Sequence, residues 1–291
     1  MNTTSSILVP IDFTEQSLIG LEQTFNLAKN SKSMIILLHV IKINKTIWDF
    51  FSNTEQYNIR KKLCAKLNAL GKDVSQKQGI PIKHLVKKGK LIDNIIQVSE
   101  KYNTDFIVMG TSPSDNITRK IIGYNALRVV KESKCPVITI KGIHHRDGCK
   151  NIVLPLDLTR ESRQKVSNAI KFAKLFNAKI HAVSVIPTKD NILGGKLNQM
   201  MNQVSQYMVK NNVSFATDEI KVSGSDEKVA KSLLNYAHKV NGDLIIVMTQ
   251  QETEISDYFL GSPAQELIFH SDIPVLSIVP KLKYNYESIV I

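Results

Sequence analysis

Eight residues near the start, Ile7-Leu-Val-Pro-Ile-Asp12-Phe-Thr14, return 145 positions later as Ile152-Val-Leu-Pro-Leu-Asp157-Leu-Thr159. Other landmarks return in the same order. Lys87-Lys-Gly89 comes back loosely as Val222-Ser-Gly224, and Asp105-Phe-Ile-Val-Met109 as Asp243-Leu-Ile-Ile-Val-Met248. Gly123 returns as Gly261, and Cys135-Pro-Val-Ile-Thr-Ile140 as Ile273-Pro-Val-Leu-Ser-Ile278. Chance can repeat one landmark; five in order indicate an internal duplication. A chain of 291 residues has room for two domains of ordinary size. The repeat places them at residues 1–142 and 149–281, with 282–291 as a tail outside it. The join, Lys141 to Lys150, is short and polar, with Gly142, His144, His145, Asp147 and Gly148.

Within the first copy, apolar β-branched runs alternate with helical patterns. Ser6–Ile11 reads as a buried strand, with Thr14 as N-cap of a helix to about Asn30. Met34–Ile41 is apolar enough to be covered on both faces. An irregular connection from Ile43 to Asn53 leads to a helix from Thr54 to about Gln78. Strand Ile82–Val86, helix Leu91–Tyr102, strand Phe106–Met109, a helix from Gly123 and strand Pro136–Ile140 follow. Such alternation predicts a parallel α/β sheet with right-handed crossovers.

The stretch Phe106 to Tyr124 is strand, glycine, polar loop, glycine, helix. In an open parallel sheet that junction lies at a carboxyl strand end, where ligands bind. Glycines there admit a phosphate close to the backbone, and helix-start N–H groups favour an anion. Two ordinary turn glycines would look the same. Asp12 and Asp157 also fall at carboxyl ends of strands. That placement suits an acceptor for a ribose or base, and equally a helix N-cap.

Charge is uneven. Residues 1–145 hold 21 Lys/Arg against 11 Asp/Glu, while the remainder holds 17 against 15. Ten basic residues lie between Arg60 and Lys90, with only Asp73 against them. This is either a patch for an acidic protein partner or a solvated helix face. Few aromatics and no nucleic-acid motif accompany it, which argues against nucleic acid. No run is apolar enough to insert in a membrane, and the start lacks a signal-peptide pattern. Cys64, Cys135 and Cys149 form no CxxC pair, so a reducing cytoplasm is the expected location. His144, His145 and Cys149 lack the partner cluster a zinc site needs, so no metal is expected. No nucleophile elbow, HExxH or G-x4-GK[ST] loop is present, and no catalytic residue is assigned.

Taken together, the strand–Pro–x–Asp openings, the LLHV strand, the D-x-IVMG strand and the closing CPV and IPV strands resemble a tandem universal stress protein. The resemblance spans about Ser5 to Pro280. It implies two tandem doubly wound five-stranded parallel-sheet domains of the adenine-nucleotide alpha hydrolase-like kind. These would pair through their last strands as an intramolecular pseudo-dimer; association of two chains is left open. Many members bind ATP through a G-x2-G-x9-G-[S/T] loop. Carried over, the implied site is Pro10, Ile11, Asp12, Val40, Gly110, Thr111, Pro113, Gly123 and Tyr124 in the first half. In the second half it is Asp157, Gly261 and Ser262.

This chain departs from that loop in both halves. Pro113 stands at the second glycine and removes an N–H. Tyr124 stands where Ser or Thr belongs, with a ring that would crowd the same space. The second half has no glycine before Gly261. Counting 13 positions from Met248 to Gly261, against 14 from Met109 to Gly123, its loop is expected to be one residue shorter. Glu252 and Glu254 place negative charge where phosphates would lie. The expected function is therefore non-catalytic: a stress-response protein binding ATP weakly, or in an altered mode, in the first-half cleft, with no metal required. The rival is an interaction scaffold using the basic face. Some members hydrolyse ATP slowly; the missing glycines argue against a residual ATPase here.

Overall fold

The structure is a computed structural model. It describes residues 5–42, 50–111, 124–142, 148–156, 162–187, 191–222, 226–251, 258–259 and 262–280. Pro113, Gly123, Asp157, Gly261, Glu252, Glu254, His144, His145 and the tail 282–291 lie outside the described residues.

The first half runs β1 (Ser6–Pro10), α1 (Glu15–Ser31), β2 (Met34–Ile41), α2 (Asn53–Gln78), β3 (Ile82–Lys88), α3 (Leu91–Tyr102), β4 (Phe106–Thr111), α4 (Tyr124–Glu132) and β5 (Val137–Lys141). The second runs β6 (Asn151–Leu156), α5 (Ser162–Phe176), β7 (Lys179–Pro187), α6 (Asn191–Lys210), β8 (Phe215–Val222), α7 (Asp226–Lys239) and β9 (Leu244–Met248). A small ribbon, β10 (Gln250–Gln251) with β11 (Tyr258–Phe259), precedes α8 (Ser262–His270) and β12 (Val275–Ile278). The ribbon has no counterpart in the sequence reading.

Ten strands form one sheet in the order β3-β2-β1-β4-β5-β12-β9-β6-β7-β8. Each half supplies five parallel strands, and the halves join where β5 and β12 run antiparallel. Ile138 faces Leu276 at the middle of that join. These two positions correspond under the repeat, so the join is symmetric about them: the expected intramolecular pseudo-dimer. One apolar layer joins the strands to α1, α2, α5 and α6; the other joins them to α3, α4, α7 and α8. The first layer is continuous between the halves, with the Phe106 and Phe172 rings edge to face at 5.4 Å. Strands covered on both faces must be apolar throughout, which is why Ile7, Leu8, Val9 and Ile35 to Leu38 are all buried.

Local chemistry closes the elements. Thr14 caps α1, its hydroxyl accepting from Ser17 N, and Ser52 with Glu55 forms a capping box on α2. Lys32, Gly79 and Asn103 end their helices in the left-handed region. The repeated aspartates have a structural reason. Asp105 Oδ2 accepts from Ser6 N at 3.0 Å; Asp243 Oδ2 accepts from Asn151 N at 2.9 Å and Lys150 N at 2.8 Å. Each ties the entry of the fourth strand of its half to the first. Ser133 and Ser271 are a further pair, their hydroxyls donating to Cys135 O and Ile273 O.

The strand register corrects one sequence expectation. Gly110 pairs with Ile140, and Met248 pairs with Ile278. The Thr111 hydroxyl donates to Ile140 O and the Thr249 hydroxyl to Ile278 O, each at 3.2 Å. Gly110 therefore corresponds to Met248, and Val247, not Met248, to Met109. The second-half loop is not shorter: Thr111 precedes Gly123 by 12 positions, and Thr249 precedes Gly261 by 12.

Candidate functional site

The turn from β1 into α1 is held by Asp12. Its Oδ1 accepts from Thr14 N at 3.0 Å and from the Thr14 hydroxyl at 2.5 Å. The helix cap is thus Thr14, and Asp12 orients it. Partial burial works to raise the Asp12 pKa. The hydrogen bonds from Thr14 and Ser17 outweigh it, and the carboxyl lies below its ordinary value of 3.8. Phe13 takes a left-handed φ of 66°, and its ring packs on His39 at 5.1 Å between centroids. His39 Nδ1 donates to Ile11 O at 2.7 Å, so this histidine is satisfied within the fold.

Asp12 opens onto a cavity of about 250 Å³ at the carboxyl ends of β1, β2 and β4. Six sequence-derived residues line it together: Pro10, Ile11, Asp12, Val40, Gly110 and Thr111. This is the topological switch point, where β1 is flanked by β2 and β4 and the crossovers leave in opposite directions. Sequence reasoning missed four polar contributors: Lys42 just after β2, Gln16 and Ser17 on α1, and Asn125 on α4. Lys42 is the only cation among the described lining residues. Gln16 Oε1 is buried without a hydrogen-bond partner. The apolar walls come from Leu38, Leu91, Ile95, Met109 and Ala126. Apolar walls with a few fixed polar groups suit a flat, partly polar ligand.

Two placements differ from their expected roles. The Thr111 hydroxyl is spent on Ile140 O, so it offers a ligand no free donor. The Tyr124 side chain is 55% exposed, with the Arg128 guanidinium 5.9 Å from its ring centroid, and does not line the cavity. Gly110 has a reason beyond close ligand approach. A Cβ there would lie 1.8 Å from the Gln16 carbonyl oxygen, and one on Gly20 would lie 2.7 Å from Gly110 N. The helix α1 crosses β4 backbone to backbone, and only paired glycines permit that.

In the second half, Pro155, Leu156 and Val185 keep the positions of Pro10, Ile11 and Val40. The glycine pair does not survive. Lys165 stands for Gly20 at 5% exposure, and Met248 for Gly110 at 7%. Long side chains are buried where the first half has none. Ser262 begins α8, as Tyr124 begins α4. Among the described residues no cluster of three or more His, Cys, Asp or Glu could hold a metal ion. No helix among them is long and apolar enough to cross a membrane.

Comparison with known proteins agrees with this architecture. The model of the universal stress protein family matches residues 3–141 and again 148–278. Universal stress protein MJ0531 of Methanocaldococcus jannaschii is 25% identical over 150 residues, covering 48% of this chain and 84% of the relative. Universal stress protein Sll1654 of Synechocystis is 27% identical over 135 residues, covering 46% and 84%. A universal stress protein from Archaeoglobus fulgidus superposes with a TM-score of 0.73 at 19% identity, over 94% of this chain and 96% of that one. A functionally unknown protein, PA1789 of Pseudomonas aeruginosa, gives 0.67 at 19% identity, over 95% and 93%. At that identity these structures speak to the fold alone.

Proposed function

The chain belongs to the universal stress protein family, and from that footing we propose that it is a non-catalytic binding protein whose first-half cleft takes the adenosine end of an adenine nucleotide. The observation that supports this is the cavity uniting Pro10, Ile11, Asp12, Val40, Gly110 and Thr111 at the switch point. Apolar walls would cover the base. The Asp12 oxygen not used by Thr14 would accept from a ribose hydroxyl. Among the described lining residues Lys42 is the only cation, and the sequence puts Pro113 and Tyr124 where the family's phosphate loop has glycine and Ser or Thr, so a weak grip on a polyphosphate is expected. Binding is accordingly weak, and the phosphates contribute little to it. The second half does not share the ligand, because Lys165 and Met248 occupy the place of the bare crossing.

Calorimetry with ATP, ADP and adenosine tests the proposal. One site per chain is expected, with the three affinities within about tenfold of one another. Asp12→Asn keeps the oxygen that Thr14 bonds and weakens all three by roughly tenfold. No heat from any of them, or two equivalent sites per chain, would overturn the reading. So would steady phosphate release from ATP that Asp12→Asn abolishes.

A further inference from the structure

The helices α2 and α6 hold the same place in the two halves, between the second and third strands. They are buried differently. In α6, Leu197, Met201, Val204 and Met208 are buried one after another along the helix. In α2 the buried residues are Leu67, Gly71 and Val74, and none from Asn53 to Lys66 is buried. At 1.5 Å per residue, about 20 Å of helix precedes its first buried side chain.

That projecting part carries aromatic rings. Phe50, two residues before the cap Ser52, is 83% exposed, and Tyr57, on the second turn, is 65% exposed. Arg60 and Lys61 are exposed too. They lie three and four residues beyond Tyr57, and so beside it on the helix surface. Among the described residues neither has an acidic partner. Glu55 is the one acid between Phe50 and Lys66. Its carboxylate already accepts from Ser52 N at 2.8 Å and the Ser52 hydroxyl at 2.7 Å. The corresponding α6 lacks this combination. Its one aromatic, Tyr207, packs half-buried against the core, and its basic residues are Lys196 and Lys210.

Rings left in water cost free energy, and nothing in the sheet requires these two at the surface. We propose that the tip of α2, Phe50 and Tyr57 with Arg60 and Lys61, is a peripheral contact for an anionic lipid surface. Aromatic rings enter the interfacial layer, and the cations beside them meet the headgroup phosphates. The tip is convex. A protein partner would need a matching recess, whereas a bilayer interface closes around a protruding ring. Such a contact touches the membrane without crossing it.

Co-sedimentation of the full chain with vesicles tests this. Binding is expected to phosphatidylcholine vesicles containing phosphatidylglycerol, not to phosphatidylcholine alone, and it should weaken as salt is raised. Arg60→Gln with Lys61→Gln should weaken it by about tenfold. Phe50→Ser with Tyr57→Ser, which leaves the charge unchanged, should weaken it by roughly fivefold or more. Lys72→Gln with Lys101→Gln removes two exposed charges away from the tip and should change it by less than about twofold. Unfolding midpoints should match the parent in all three. The proposal is overturned if the anionic vesicles do not bind, if neutral vesicles bind equally, or if the Phe50 and Tyr57 changes have no effect. It is overturned as well if the Lys72 and Lys101 changes weaken binding as much as those at Arg60 and Lys61. Polyglutamate bound as tightly as the vesicles, and lost with Phe50 and Tyr57, would make the tip a protein-docking site instead. None of these outcomes depends on whether adenosine binds beside Asp12.

Discussion

The two halves share nearly every scaffold device and differ at the floor of the cleft. Asp105 and Asp243, Ser133 and Ser271, and Thr111 and Thr249 make matching hydrogen bonds in the two copies. Where the first half crosses helix over strand through Gly20 and Gly110, the second buries Lys165 and Met248. What holds the sheet and what lets the first helix of a half cross its fourth strand backbone to backbone are therefore separable requirements. A copy can lose the second and keep the first. That follows from geometry: the shared bonds join strand entries and exits, whereas the glycine pair only sets how near α1 comes to β4.

The sharpest way to break this contrast is to move the second half's residue into the first. Gly110→Met puts a side chain through the Gln16 carbonyl, which is backbone and cannot swing aside. Denaturant unfolding should show a loss of about 3 kcal/mol or more, with adenosine binding abolished. Unchanged stability would mean that α1 is free to retreat, and that Gly110 is there for the ligand alone. A smaller, symmetric effect is expected from Asp105→Ala and Asp243→Ala. Each frees strand-entry N–H groups, at about 1–3 kcal/mol. Similar losses in the two halves would sharpen the claim that the scaffold is common; a loss in only one would break it.

Element types and the duplication are legible in the sequence because each is local: apolar runs, caps and recurring landmarks. The register of the fourth strand is not. Met109 and Met248 match by letter, but which residue faces Ile140 or Ile278 is fixed by hydrogen bonds to a neighbouring strand. The purpose of Gly110 is hidden for the same reason, since the atom it must avoid belongs to Gln16, about ninety positions earlier. The cleft was half legible. Asp12 follows from a strand end and Val40 from the family resemblance, while Lys42 after β2, Gln16 on α1 and Asn125 on α4 carry no motif and enter only through the packing of these elements. The basic run shows the opposite failure. Its charge is plain in the sequence, yet only the fold shows that Lys66 and Lys83 lie against the rings of Phe13 and Tyr102 while Lys77 pairs with Asp73.

The least of the expected effects concerns protons on Asp12. Burial raises its pKa, the bonds from Thr14 and Ser17 lower it, and the net is a folded value below the unfolded one. A depressed carboxyl pKa means that the ionised form favours the folded state. Its contribution is therefore complete above the unfolded pKa, about 3.9, and is lost as pH falls through the lower folded value. The group is partly exposed, so solvent screening keeps the contribution small. Comparing the unfolding free energies of the parent and Asp12→Asn from pH 6 down to pH 2 isolates it, because every other carboxyl is common to both. The parent's advantage should hold near pH 6 and shrink only in the acid part of that range. A difference that is flat throughout would mean that Thr14 grips the protonated carboxyl as well as the carboxylate. The turn into α1 would then owe its shape to hydrogen bonding without charge, and the strand-end aspartate would be retained for its ligand.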